Sequence, residues 1–245
     1  MTEPTLDVHG LTKLYGDLVA VSEVSFSVAP GEVVGLVGPN GAGKTTMLRC
    51  LSGIIPPTRG EIRICGRDLR QSPAQAKAEL AFLPDEPRLF DYLTAREHLN
   101  LTARLYGVPG WERRADALFE ELELLDKQQK LPSELSRGMK QKLSIACGLL
   151  HDPKLILLDE PLTGLDPLAI RKMKRSISQR AEGGAAVLLS SHLLPLVEEL
   201  CHRVLVISAG RMVAFGTIDE IRAQIGAAGT LEDLFVRITS AEGRE

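Results

Sequence analysis

Residues Gly38-Pro39-Asn40-Gly41-Ala42-Gly43-Lys44-Thr45 fit the template G-x-x-x-x-G-K-[ST], and they follow directly on an apolar run, Val33 to Val37. That order predicts a buried strand, a tight turn and a helix opening near Gly43. The glycines are needed because the backbone of such a turn curls with its N–H groups pointing inward, and a Cβ blocks several of those conformations. The helix that follows adds the positive end of its dipole. The product is an anion cradle of the size of a triphosphate, in which Lys44 reaches the outer phosphates and the Thr45 hydroxyl, with Thr46 beside it, is placed for Mg²⁺.

The 245 residues, 44% of them apolar, are enough to bury one large core or two smaller ones. The formal charge of −3 and the pI near 6.0 exclude a global basic field of the kind that holds nucleic acid. Cys50, Cys65, Cys147 and Cys201 stand far apart with no C-x-x-C pair, which argues against a metal or disulfide framework and for buried thiols in a reducing compartment. Met1 to Gly10 carries acids and a proline, so no export leader is expected there. The most apolar later stretch, Ala185 to Val197, is broken by Ser190, Ser191, His192 and Pro195 and falls short of the ~20 residues that span a bilayer.

Val24, Phe26 and Val28 alternate with polar residues, as do Ile62 and Ile64, and read as half-buried antiparallel strands beside the phosphate loop. Val33 to Val37, Leu155 to Leu158, Ala186 to Leu189 and Val204 to Ile207 are continuous apolar runs, as expected of parallel strands covered on both faces. From about Pro87 to Leu150 the period turns helical, with Leu118, Leu122 and Leu125 on one face and breaks at Pro109-Gly110 and Leu131-Pro132-Ser133. The tail, 226–245, carries an amphipathic piece around Leu231, Leu234, Phe235 and Ile238.

Leu155-Ile156-Leu157-Leu158-Asp159-Glu160 is an apolar strand ending in two carboxylates. Neighbouring strand residues face opposite ways, so the two are expected to differ in role: Asp159 toward Mg²⁺ and Glu160 toward an attacking water, as general base. Some twenty residues earlier, Leu135-Ser136-Arg137-Gly138-Met139-Lys140-Gln141 opens a helix with Ser136 as its cap.

The phosphate loop, this segment, Asp159-Glu160, Gly164-Leu165-Asp166 and His192, in that order, resemble the ATP-binding cassette ATPases from Tyr15 to about Gly216. The resemblance implies an α/β P-loop NTPase fold, with a RecA-like parallel-sheet core, an antiparallel β subdomain and an inserted helical subdomain. It implies a cassette over 1–225 with the insert at approximately 87–150. Tyr15 then stacks on adenine; Gly38, Pro39, Asn40, Gly41, Ala42, Gly43, Lys44, Thr45 and Thr46 bind ATP; Thr45 and Asp159 hold Mg²⁺. Two cassettes pair head to tail, so Ser136, Arg137, Gly138 and Met139 cap the γ-phosphate in trans. Asp166 couples the two sites, and His192 holds the γ-phosphate and orients water.

The implied function is an ATPase that powers a transporter, on the side of export, from the cytoplasmic face of the membrane. Its partners would be separate membrane-spanning chains and a second cassette, identical or not. A cytosolic ATPase serving a soluble scaffold, as in iron–sulfur cluster assembly, shares the same nucleotide motifs. Two segments, at three positions, depart from the family pattern. Asp85 stands where most members carry glutamine, adding negative charge near the γ-phosphate while still able to touch Mg²⁺, and Arg137 and Met139 replace Gly and Gln of L-S-G-G-Q. Asp85 is therefore expected to slow or regulate hydrolysis: Asp85→Gln should shift turnover or ATP affinity in a phosphate-release assay, and unchanged values of both would remove Asp85 from the site.

Overall fold

The computed structural model describes residues 3–162 and 167–225. A four-stranded antiparallel sheet is built from β1 (Leu6–Tyr15), β2 (Leu18–Val28), β4 (Arg59–Ile64) and β5 (Arg67–Asp68), in the order β2-β1-β4-β5. A six-stranded sheet contains β3 (Val33–Val37), β6 (Leu80–Leu83), β7 (Leu155–Asp159), β8 (Ala186–Ser190), β9 (Arg203–Ser208) and β10 (Arg211–Gly216), in the order β10-β9-β3-β8-β7-β6. All of its pairings are parallel except β9 with β10. The four apolar runs expected as core strands are β3, β7, β8 and β9. β1, β6 and β10 lacked a comparable signal, since β6 is four residues long and β10 carries Arg211 and Met212 at an exposed edge.

Continuous apolarity in the parallel strands has a plain cause: both faces of the sheet are covered. Val33, Val37, Ile156 and Leu158 point into one core, and the alternate residues Val34, Leu36, Leu155 and Leu157 into the other. The second core is closed by α1 (Lys44–Leu51), α2 (Pro73–Ala78) and the antiparallel sheet, the first by α6 (Pro167–Glu182), α7 (Leu194–Leu200) and α8 (Ile218–Ile225).

The helical insert is α3 (Ala95–Tyr106), α4 (Trp111–Glu121) and α5 (Arg137–Leu149). Thr94 and Glu97 cap α3 reciprocally, and Ser136 accepts from Met139 N at 3.3 Å to open α5, as its sequence predicts. One expectation is corrected. Leu118 and Leu122 are buried, but Leu125 is about half exposed, because α4 stops at Glu121 and Glu123 takes a left-handed φ of 58°. The chain there turns over, and Leu124 fills the core position instead.

Insert and sheet meet along α3, α5 and β6. A Cβ on Gly148 of α5 would lie 2.7 Å from Leu83 Cδ2, so a larger residue there would push the buried Leu83 side chain out of its place between helix and strand. Tyr106 of α3 stacks on His151 with ring centroids 3.8 Å apart and planes 17° apart, a contact worth about 1 kcal/mol beyond its burial. His151 Nε2 lies 3.2 Å from the Leu80 carbonyl, while Nδ1 is buried without a partner. Burial pushes the His151 imidazole below its ordinary pKa; the Leu80 carbonyl opposes this and Arg114 adds to it.

The unfolded imidazole takes up its proton near pH ~6.5, before the folded one does, so the unfolded chain binds more protons below that pH. This group therefore costs stability as pH falls from about 6.5 toward the folded value and contributes nothing above it. In thermal denaturation at about pH 7.5 and about pH 5.5, His151→Gln should be less stable than wild type at the higher pH yet lose less on acidification. An equal acid loss would show that His151 carries none of the pH dependence.

Candidate functional site

The site forms where β3, β8 and β7 end side by side. Parallel register sets Leu36 opposite Ser190 and Asp159 opposite Ser190, so the phosphate loop after β3 and the acids after β7 flank one serine. Ser190 Oγ donates to Asp159 Oδ1 at 2.8 Å and accepts the Glu160 N–H at 2.9 Å. Thr45 Oγ1, at the start of α1, donates to the same Asp159 oxygen at 3.4 Å. Asp159 is almost wholly buried, and the Lys44 ammonium lies within electrostatic reach of it.

The loop is tied down on its outer side. Gly43 has φ 102°, and a Cβ there would lie 2.4 Å from the Ala20 carbonyl oxygen. Gly210 N donates to the Ala42 carbonyl at 3.0 Å, and Ser22 N to that of Gly210 at 2.8 Å, so the loop rests on β2 and the β9–β10 turn. No side chain caps α1, and its first N–H groups are free to face an anion. Lys44 Nζ donates to the Gly38 and Pro39 carbonyls at 2.7 and 3.2 Å. Burial pushes its pKa down, against the opposing pull of Glu160 and Asp159.

Glu160 lies just past β7 with φ 49°, a left-handed conformation that costs a non-glycine residue roughly 1–3 kcal/mol. Its backbone turn, with the N–H on Ser190, aims the carboxylate at His192: Oε2 lies 2.7 Å from His192 Nδ1 and accepts the His192 N–H at 3.4 Å. The expected divergence of the two acids is present, but it comes from this turn and not from strand alternation. Asp159 faces Thr45, and Glu160 faces His192.

An open cleft of about 560 Å³ runs from Tyr15 past Asn40 to Thr46 and reaches Asp159 and Glu160. Tyr15 is about half exposed at its mouth, with Lys13 Nζ 5.0 Å from the ring centroid. The segment Ser136, Arg137, Gly138 and Met139 does not line this cleft. Asp85 is half-buried, close enough to Asp159 and Glu160 to feel their charge. Asp166 lies outside the described residues, as does the 226–245 tail. Ser190, which holds both acids, was missed by sequence reasoning; its signal was its place at the end of the strand paired with β7.

The oxygen donors of Thr45 and Asp159 suit a hard cation such as Mg²⁺, because a buried carboxylate and a hydroxyl already converge. Among the described residues no cluster of His, Cys, Asp and Glu forms a transition-metal site. The four thiols are free, and burial pushes Cys147 and Cys201 up to about 12.

Comparison with known proteins agrees with this geometry. The family model described as ABC transporter matches residues 21–163. The ABC-type transporter ATP-binding protein EcsA of Bacillus subtilis is 36% identical over 240 residues, covering 97% of each chain. The Nod factor export ATP-binding protein I of Paraburkholderia xenovorans is 40% identical over 88% of this chain and 72% of its own length. A solved ATP-binding subunit of an ABC transporter superposes with a TM-score of 0.92 at 38% identity, over 96% of this chain and 99% of its own. The comparisons give no support to the soluble-scaffold alternative. The phosphate loop, the acids beside it and these relatives lead to one conclusion: the chain belongs to the ABC transporter family, as an ATP-binding, ATP-hydrolysing cassette.

Proposed function

We propose that this cassette drives export by hydrolysing Mg²⁺-bound ATP between two copies of the fold, and that it does so through the residues gathered at the ends of β3, β7 and β8. The observation that carries the assignment is the 2.7 Å contact between Glu160 and His192, beside the Thr45–Asp159 pair. Tyr15 offers its ring to adenine. The loop 38–46 wraps the phosphates with its N–H groups, and Lys44 exchanges loop carbonyls for phosphate oxygens.

Glu160 takes a proton from water, the water oxygen bonds to the γ-phosphorus, and the bond from that phosphorus to the β-bridging oxygen breaks toward ADP. His192 holds the Glu160 carboxylate in place and contacts the departing phosphate. Thr45 and Asp159 would hold Mg²⁺, which when bound would supply countercharge to the phosphate oxygens. Asp85 lies within reach of the same space. Ser136, Arg137, Gly138 and Met139, outside their own cleft, close the cleft of the opposing cassette, and Asp166 links the two.

The export reading follows the Nod factor relative. Among the described residues no helix is long and apolar enough to cross a membrane. The membrane-spanning part is assigned to a separate chain, in keeping with the relatives named as ATP-binding proteins of transporters. Its seat is a groove of about 580 Å³ between insert and sheet, where Ile54, Phe82 and Tyr106 offer apolar surface and Arg49 and Arg88 charge. A partner seated there touches both parts whose relative position ATP controls.

Two measurements test the reading. Glu160→Gln should bind ATP normally and lower turnover by about 10²–10⁴-fold, the range for loss of a general base; near-normal phosphate release would reassign the base. Purification of the tagged chain from gently solubilised membranes should bring down a stoichiometric polytopic membrane protein. Soluble companions alone, with the chain absent from membranes, would overturn the transporter assignment.

A further inference from the structure

Two of the departures from the family pattern, Asp85 and Arg137, are far apart in the chain and within electrostatic reach of each other in the fold. β6 ends at Leu83, paired with Leu158 of β7, so residues 84 and 85 run on beside Asp159 and Glu160. α5 closes on the same segment from the insert: Gln141, 6% exposed, donates its amide to the Pro84 carbonyl at 3.4 Å. Arg137 stands one helical turn before Gln141, and residues four apart share a helix face, so its guanidinium is carried toward residues 84–85.

The charge environment agrees. Burial pushes the Asp85 carboxyl above its ordinary pKa; Arg137 is the one group that opposes this, and Asp159, Glu160 and Glu86 reinforce it. Among the described residues neither the Arg137 nor the Asp85 side chain makes a hydrogen bond or an ion pair within 4.0 Å, so the two interact at longer range, and Arg137 is exposed to solvent. Four carboxylates thus crowd the rim of one phosphate site, and the cation that acts on Asp85 sits on the segment assigned to the opposing site.

We propose that Asp85 and Arg137 form a compensating charge pair that sets how tightly ATP draws two cassettes together. In the separate cassette Asp85 holds the Arg137 guanidinium toward its own acidic rim. In the closed pair Arg137 turns to the γ-phosphate bound by the opposing cassette, and Asp85 is left uncompensated. Asp85 thereby competes with ATP for Arg137. The two act as positioning residues and take no part in bond making. The proposal rests on the trans assignment of the 136–139 segment made above.

A double-mutant cycle in the transporter complex, purified with its membrane partner, tests it by ATP titration of phosphate release. Asp85→Gln should lower KM for ATP about fivefold and move kcat less, because it relieves competition without touching the reacting atoms. In an Arg137→Ala background Asp85→Gln should have no further effect on KM. An Asp85→Gln effect that survives intact in that background overturns the pair. Arg137→Lys, which keeps the charge and loses the guanidinium, should preserve the Asp85→Gln response, and its loss would overturn compensation by charge. Glu160→Gln turning over at the wild-type rate would instead overturn the site assignment beneath the proposal, so the two failures read differently.

Discussion

The buried Asp159 carboxylate is the constraint on which the site depends. A charge taken this far from water costs several kcal/mol unless hydrogen bonds and an opposite charge surround it. Its partners come from three separate elements: Ser190 at the end of β8, Thr45 at the start of α1, and the Lys44 charge from the phosphate loop. Loss of any one partner leaves the others around a poorly compensated anion. The parallel register of β3, β8 and β7 is thereby tied to the position of α1, and the phosphate loop cannot shift without disturbing the acids. Ser190 extends the same constraint to Glu160, whose N–H it takes and whose left-handed turn directs the second carboxylate to His192.

The helical insert is fastened to this platform by a different kind of contact. Glu121, at the end of α4, accepts both guanidinium nitrogens of Arg180 at 3.0 Å and the Ser176 hydroxyl at 2.7 Å, both from α6. Burial raises its pKa, but the Arg180 and Ser176 hydrogen bonds outweigh it, and the carboxyl settles below the usual range. Glu123, next in the same turn, reaches Lys142 of α5 and Lys172 of α6. Polar struts on one side, and the open groove with its Tyr106–His151 stack on the other, flank one continuous apolar core that runs from Leu99, Phe119 and Leu143 of the insert to Ile156 and Leu189 of the sheet. Close packing of that kind ties the insert to the strands that carry the acids.

The charge balance at the rim follows from the same geometry. Asp159 and Glu160 stand at the end of β7, Asp85 and Glu86 follow β6, and the strands are adjacent, so acids accumulate on one side while Lys44 is the cation within the loop. In the proposed reading ATP adds further negative charge there, which the loop N–H groups, the α1 dipole and added cations would offset.

The phosphate loop and the apolar strand ending in Asp159-Glu160 were legible in the sequence because their chemistry is local: glycines where φ is positive, and uninterrupted apolar residues where both strand faces are covered. The same holds for the Ser136 cap and for the helical character of the insert. The end of α4 was misread at Leu125, since a periodic pattern does not reveal where a left-handed residue reverses the chain. The short strand β6 and the edge strand β10 had no signal strong enough to separate them from loops. Sequence alone determined that the chain carries a triphosphate cradle with two acids to serve it. Only tertiary structure decided that Ser190 joins those acids, that Glu160 faces His192, and that Arg137 comes within electrostatic reach of Asp85, because each depends on strand register and helix packing between residues distant in the chain.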